Sequence, residues 1–413
     1  MNTSVSGERE RALRGPLGVS LSELPTLTSE APLESARQLI PALRARAADA
    51  ERLRRLPDET IEDARRARLF ELLSPRRWGG QGGSLRDFVA VTKALAEGDP
   101  SAAWTLSFLI SHHWLLSRFP MAAQEVVFAN GPVALAAAVA NPPGRAIGVG
   151  GGYRLTGRWP YSSAIMHSDW FACTGMTEEQ RRPMWLLLPR DEVTVHDTWH
   201  TAGMRGTGSN DVSVEDVFVP SDMTIDFELW GSADNPGAEV HAEPLTRYDF
   251  RDIFGLIFPS VLAGAARAVL EGYRDRLAVR RLPFASGPQI DMSSCRARFG
   301  KAAGEVQTAD ILLDHATDTI IQADASGRQL SDQERVALKL ELLNCAQTAR
   351  SAVCTVIEGS GSSIYKTNDL TQHYKRDVDM ILGHFTLDSD WVTEVAGTVL
   401  LGVGGITNPG HFF

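Results

Sequence analysis

A chain of 413 residues with 43% apolar content is long enough to build two or three structural units around substantial cores. Its formal net charge of -10, with no Lys/Arg block interleaved with aromatics, excludes the electrostatic footprint of a nucleic-acid binder. The four cysteines, Cys173, Cys295, Cys345 and Cys354, are scattered and form no CxxC pair. Free, mostly buried thiols are expected, and a disulfide framework or thiolate zinc site is disfavoured.

Residues 1–30 mix Ser, Thr, Gly, Arg and Glu without an apolar targeting segment, and no later stretch holds eighteen uninterrupted apolar residues. A flexible N-terminal segment and a cytoplasmic location are the expectation. From 31 to 139 the pattern is helical: Leu39, Leu43, Ala47 and Ala50 recur at helical spacing, and Ile61, Ala64, Leu69 and Leu72 continue it beyond Pro57. The clustered glycines of Trp78-Gly79-Gly80-Gln81-Gly82-Gly83 place a loop inside this helical domain.

Between 140 and 245 the texture changes to short apolar or alternating runs, such as Tyr153–Thr156, Trp170–Cys173, Met184–Leu188 and Val212–Val219. These predict a middle β domain. From 246 to 413 helical periodicity returns as a C-terminal bundle, and Ser331-Asp332-Gln333-Glu334 has the form of a capping box opening a helix that runs to Glu358. The stripe Leu338, Leu342, Cys345 and Ala349 on that helix is a candidate subunit contact. Helices, then strands, then helices predict an α+β fold of separate layers, mostly α, rather than alternating βαβ units.

Three tempting motifs fail. Gly148 to Tyr153 resembles a dinucleotide loop but precedes a strand, so a pyrophosphate would meet no helix N-terminus. His196-Asp197-Thr198-Trp199-His200 has zincin-like spacing on a predicted strand or turn, where the two histidines do not share a face, and no metal site is expected. Ser162-Ser163 lacks the glycines of a hydrolase elbow.

A stronger signal is ordered: Gly157-Arg158-Trp159-Pro160-Tyr161-Ser162-Ser163, then Met204-Arg205-Gly206-Thr207-Gly208-Ser209, then Val217-Phe218-Val219-Pro220. Leu69 to Pro75 precedes these motifs and Tyr374-Lys375-Arg376-Asp377-Val378 follows them. This set resembles the acyl-CoA dehydrogenase superfamily over 32–402. The resemblance implies that family's fold: an N-terminal helical domain, a middle β-barrel-like domain and a C-terminal helical bundle. It also places the first motif beside a flavin ring.

The chain departs from the dehydrogenases at their α-proton base. His384-Phe385-Thr386-Leu387 stands where the short-chain branch has its glutamate segment, and Leu256 to Ala268, where the other branch carries its base, has no carboxylate. Ser101-Ala102-Ala103-Trp104 with Ser111-His112-His113-Trp114, Trp159 to Ser163, and Arg376-Asp377-Val378 followed by His384 are instead similar to the two-component flavin monooxygenases of this fold. Those include the oxygenase components of 4-hydroxyphenylacetate hydroxylase and dibenzothiophene monooxygenase. In that group the position of Ala164 is more often glycine.

What this resemblance implies is an oxygenase that takes reduced FAD or FMN from a separate NAD(P)H-dependent reductase. With O2, and through a flavin 4a-hydroperoxide, it would hydroxylate a phenol- or indole-type molecule. His384 is expected as the acid/base group, His112 as its partner in holding the substrate, and the Ser162 or Ser163 hydroxyl as a hydrogen-bond partner of flavin nitrogen 5. Trp159, Tyr161, Arg205, Arg280 and Arg298 are the further expected flavin contacts. The family's bundle implies a homotetramer. An acyl-CoA dehydrogenase or oxidase, and an N-oxygenase of an amine such as an amino sugar, are the rival readings in the same fold. A scaffolding relic of the fold is the non-enzymatic one.

Without the resemblance each residue has a plainer reading. A histidine on an apolar helix is by default a packed, hydrogen-bonded core residue, serines at a strand end satisfy backbone groups, and tryptophans fill cores.

Overall fold

The computed structural model describes residues 30–282 and 286–406. The expected flexible N-terminal segment and the last residues of the chain lie outside these. The N-terminal layer holds α1 (Glu30–Leu53), α2 (Asp58–Arg66), α3 (Leu85–Gly98), α4 (Pro100–Ser117) and α5 (Met121–Val127). Helix α4 starts sharply because the Asp99 carboxylate accepts from the Ala102 amide at 2.6 Å and Pro100 occupies the first turn, where its missing N–H costs nothing. Its surface is apolar nearly all round, and it is almost wholly buried, as such a helix must be.

The middle layer is a seven-stranded mixed sheet in the order β5-β6-β2-β1-β3-β4-β7. The strands are β1 (Ala136–Val149), β2 (Gly152–Trp159), β3 (Trp170–Thr177), β4 (Pro183–Pro189), β5 (Thr194–His196), β6 (Asp211–Pro220) and β7 (Thr224–Asp226). Only β1 and β3 pair in parallel, while the other neighbours are antiparallel. Among the described residues β5 and β7 stand at two open edges, so the unit is a sheet and not a closed barrel. The glycine run at 150–152 is the β1–β2 hairpin turn, which disposes of the dinucleotide reading.

After the short helices α6 (Phe227–Gly231) and α7 (Pro236–Val240) comes the bundle: α8 (Phe250–Val279), α9 (Ser293–Ala325), α10 (Asp332–Ser360), α11 (Leu370–Leu382) and α12 (Ser389–Leu400). Helix α8 is long and apolar enough to cross a membrane, yet it lies mostly buried against α3, α9 and α10. Ser331 and Glu334 form the expected capping box of α10. The Leu338, Leu342, Cys345 and Ala349 stripe is a correction. All four are buried within this chain, and the Cys345 thiol donates to the Ala309 carbonyl of α9. The stripe is filled by α10's own neighbours and is not available to a second subunit. All four cysteines are free, Cys173 and Cys345 buried and the other two half-buried.

Candidate active site

The site is assembled on Trp104. Trp104, Phe108 and His112 recur at i, i+4 and i+8 on α4 and so share one face. The Trp104 indole lies 5.2 Å from Phe108 and 5.0 Å from Phe258 of α8, while Phe254, one turn earlier on α8, lies 6.1 Å from the His112 ring. His384, just beyond α11, stacks on Phe258 at 4.4 Å and meets Trp104 edge-on at 5.8 Å. The Trp104 N–H donates to Ser163 Oγ at 3.0 Å. One indole thus touches the serine just beyond β2, the helix aromatics and the histidine that follows α11.

Ser162 and Ser163 leave β2 on a turn held by the segment ahead of β6. Ser162 N–H donates to the Asn210 carbonyl, and Ser163 Oγ shares a hydrogen bond with Ser209 Oγ at 2.8 Å, itself bonded to Thr207 Oγ1. Ala164 sits at φ 65°, in the left-handed region that disfavours a Cβ, which accounts for glycine being commoner at this place.

That turn is fixed from below. Gly203 approaches α11 so closely that a Cβ would lie 2.3 Å from the Arg376 carbonyl. Asp377 accepts from the Met204 amide and from Ser101 Oγ. His373, one turn earlier on α11, bonds Asp99 at 2.7 Å and Glu51 at 3.2 Å and lies 3.6 Å from Asp377, while Arg376 reaches Glu51 at 2.6 Å. Burial alone would lower the His373 imidazole, but Asp377, Asp99 and Glu51 outweigh it and raise it to about 11. Burial likewise works against the Glu51 charge, and hydrogen bonds from His373 and Arg376 prevail, holding it at about 2. A charged imidazole therefore ties α1, the cap of α4 and α11 together beneath the pocket.

The pocket histidines behave oppositely. Burial, aided by the positive charge of Lys339, pushes the half-buried His384 down to about 4. Burial also lowers His112 to about 4, against a hydrogen bond to the Ala136 carbonyl that favours its charged form. Both are neutral near pH 7, and their hydrogen bonds select the tautomers. A backbone N–H can only donate, so the Thr386 amide makes His384 Nδ1 an acceptor and leaves the proton on Nε2. A carbonyl can only accept, so the bond from His112 Nδ1 to Ala136 O at 2.6 Å puts that proton on Nδ1 and leaves the Nε2 lone pair. His384 is set as a donor and His112 as an acceptor.

The other expected contacts are dispersed. Tyr161 is 71% exposed beside Trp199, an open ring next to the serines. Trp159 is spent in the sheet, its N–H on the Thr174 carbonyl and its ring against Phe171, Gly144 and Gly157. Arg205 lies on the turn before Ser209 with a buried, partnerless Nε. Arg280 and Arg298 converge on Ser360, Gly359 and Gly361 at the end of α10, with no contact to the Trp104 group. His196 bonds Ser213 and His200 meets Arg54, so the zincin-like spacing gathers no ligand set.

A flavin fits the residues present. Ser162 Oγ and Arg205 Nε are buried polar atoms lacking any partner, an arrangement costing about 1–3 kcal/mol each unless a ligand's ring nitrogens and oxygens satisfy them. The sequence missed His373, Asp99 and Glu51. His373 stands at i-4 from Asp377, and that shared helical face was the available signal.

The fold and site define a flavoprotein of acyl-CoA dehydrogenase architecture. The family model for the acyl-CoA dehydrogenase C-terminal domain matches residues 256–389. The chain is 33% identical over 373 residues to a pigment production hydroxylase of Rhodococcus sp., covering 89% of this chain and 96% of that one. It is 29% identical to the oxygenase component of an FADH2-dependent resorcinol hydroxylase of Rhizobium sp., over 87% of this chain and 91% of that one. The solved structure of XiaF from Streptomyces sp. with FADH2 and glycerol superposes with a TM-score of 0.85 at 28% identity, covering 92% of this chain and 97% of that one. The chain belongs to the flavin-dependent monooxygenase branch of the acyl-CoA dehydrogenase superfamily.

Proposed function

We propose that this enzyme hydroxylates a phenol-type ring seated between Trp104, Phe108, Phe254 and Phe258. The observation that carries the reading is the meeting of Ser163 and His384 on one indole, inside an aromatic box that no carboxylate contacts among the described residues. The names of similar proteins, which include a resorcinol hydroxylase and a p-hydroxyphenylacetate 3-hydroxylase, support the substrate class.

Ser162, Ser163, Tyr161 and Arg205 would hold the flavin ring, and Arg280 and Arg298 its phosphates. Bound reduced flavin supplies the electrons that activate O2. The chain's part is to orient, exclude water and donate hydrogen bonds. The Nε2–H of neutral His384 donates to the substrate hydroxyl oxygen, and the His112 Nε2 lone pair accepts from a second polar group. Of the two roles expected for the acid/base group His384, these tautomers favour the proton donor. Trp104 fixes the Ser163 hydroxyl so that it is not free to turn. A separate NAD(P)H-dependent reductase supplies the flavin, and the oxygenase works as a soluble cytoplasmic homotetramer.

The test is single turnover: protein with reduced FAD is mixed with oxygenated buffer and resorcinol or p-hydroxyphenylacetate, and product and hydrogen peroxide are counted per flavin. Hydroxylated product is expected. If every flavin equivalent ends as peroxide with phenols while an amine is oxygenated, the aromatic reading fails.

A further inference from the structure

One indole and three hydroxyls beside the aromatic box form a single chain of hydrogen bonds, and its two ends fix the direction of every proton in it. At one end stands the Met204 carbonyl, which can only accept. Asp377 holds that peptide in place by accepting from the Met204 amide, and the Trp199 N–H donates to the Met204 carbonyl at 2.9 Å. The Thr207 hydroxyl lies 2.9 Å from the same oxygen, a separation that needs a proton between the two, and only Thr207 can supply it. With its one proton engaged there, Thr207 Oγ1 can only accept from Ser209 Oγ, 2.7 Å away. Ser209 in turn can only accept from Ser163 Oγ at 2.8 Å. At the other end the Trp104 N–H, which can only donate, fills one lone pair of Ser163 Oγ at 3.0 Å. Thr207 and Ser209 are buried, so bulk water does not compete for these bonds.

Ser163 Oγ is left with its proton engaged and one lone pair that no donor among the described residues reaches. Ser162 Oγ beside it has no partner, so it can turn to donate or to accept and discriminates nothing. We propose that Thr207 and Ser209 are positioning residues that hold the Ser163 hydroxyl as an acceptor only, so that it bonds the protonated nitrogen 5 of a reduced flavin and turns a lone pair on the bare nitrogen 5 of an oxidised one. This rests on the reading that the flavin ring lies against the serines, and deepens it by assigning the choice between the two flavin states to two residues acting through a third. An acceptor facing a donor gains a hydrogen bond, whereas two acceptors facing each other leave both unsatisfied. The discrimination therefore lies in where a proton sits and not in the shape of the pocket.

The experiment titrates the full-length chain by isothermal calorimetry with oxidised FAD and, under argon, with reduced FAD, and takes the ratio of the oxidised to the reduced dissociation constant for each variant. A partly unfolded preparation weakens both signals alike and leaves the ratio intact. Wild type should favour reduced FAD. Ser209→Ala and Thr207→Val each free the Ser163 proton to turn towards nitrogen 5, and the ratio should fall about tenfold, the scale of one hydrogen bond. For a two-electron couple that is a drop of about 30 mV in the midpoint potential of the bound flavin, which dye-coupled reduction reads independently. Thr207→Ser keeps the hydroxyl and should keep the wild-type ratio and potential. Unchanged ratios in both Ser209→Ala and Thr207→Val, with Ser163→Ala still weakening reduced FAD, overturn the assignment of Thr207 and Ser209 alone. If Ser163→Ala alters neither constant, the placement of the flavin ring against Ser163 fails beneath it.

Discussion

His373 and His384 both belong to the last part of the bundle, yet their surroundings drive them in opposite directions. Three carboxylates surround His373 and keep it charged up to about pH 11. Aromatic rings and a lysine surround His384 and keep it neutral down to about pH 4. The first joins elements, and the second faces chemistry. What decides the role of an imidazole here is the charge of its immediate neighbours, since both are largely shielded from water.

The sharpest way to test that contrast is pH. His112, His113, His167 and His384 are each lowered by burial to about 4, so the unfolded chain takes up protons that the folded one refuses. Their contribution is complete above the ordinary histidine value of 6.5 and is lost as pH falls towards 4, at roughly 3 kcal/mol per residue. His373 is raised instead, so its contribution is complete below 6.5 and is lost as pH climbs through about 11. Chemical denaturation followed across pH should peak between these limbs, with the acid limb steeper. A flat profile from pH 6.5 to 4 would remove the claim of neutral buried histidines.

Substitution separates the two environments next. His373→Leu leaves Asp99, Asp377 and Glu51 facing one another and should cost about 3–5 kcal/mol, read as a lowered thermal midpoint. His384→Ala should leave that midpoint nearly unchanged while product formation falls by about 10²-fold and flavin oxidation continues as peroxide release. An unaltered product yield would end the assignment of His384. Smallest of all, Ala164→Gly relaxes a left-handed backbone but forfeits a buried methyl, so stability should change by less than about 1 kcal/mol.

Much of this architecture was readable in the residues because its signals are local. Short apolar or alternating runs gave β2, β3, β4 and β6, the Ser331–Glu334 pair marked the start of α10, and the resemblance carried by Ser101–Trp104 and Ser111–Trp114 singled out His112. What stayed hidden depends on contacts between distant segments. Glu51, Asp99 and His373 meet only after folding. Tautomers were equally unreadable, since they follow from a Thr386 amide and an Ala136 carbonyl. The stripe on α10 shows the converse limit: an apolar face announces burial without naming the partner.

Arg118 bears on what holds the segment after β7 in place. Its buried guanidinium, sandwiched between Trp114 and Trp230, donates to the carbonyls of Trp230, Ser232, Thr246 and Tyr248, and burial pushes it down to about 9. Because every one of those acceptors is main chain, the hydrogen bonds of the rivet are set by the peptide path, and the Trp230 ring is the side chain of the pinned segment that packs on the guanidinium. The stretch from 233 to 245 adds anchors of its own that do depend on side chains: Asn235 donates to the Ser232 and Thr246 carbonyls, Glu243 accepts from the Arg76 amide, and a Cβ at Gly237 would collide with the Ser117 carbonyl.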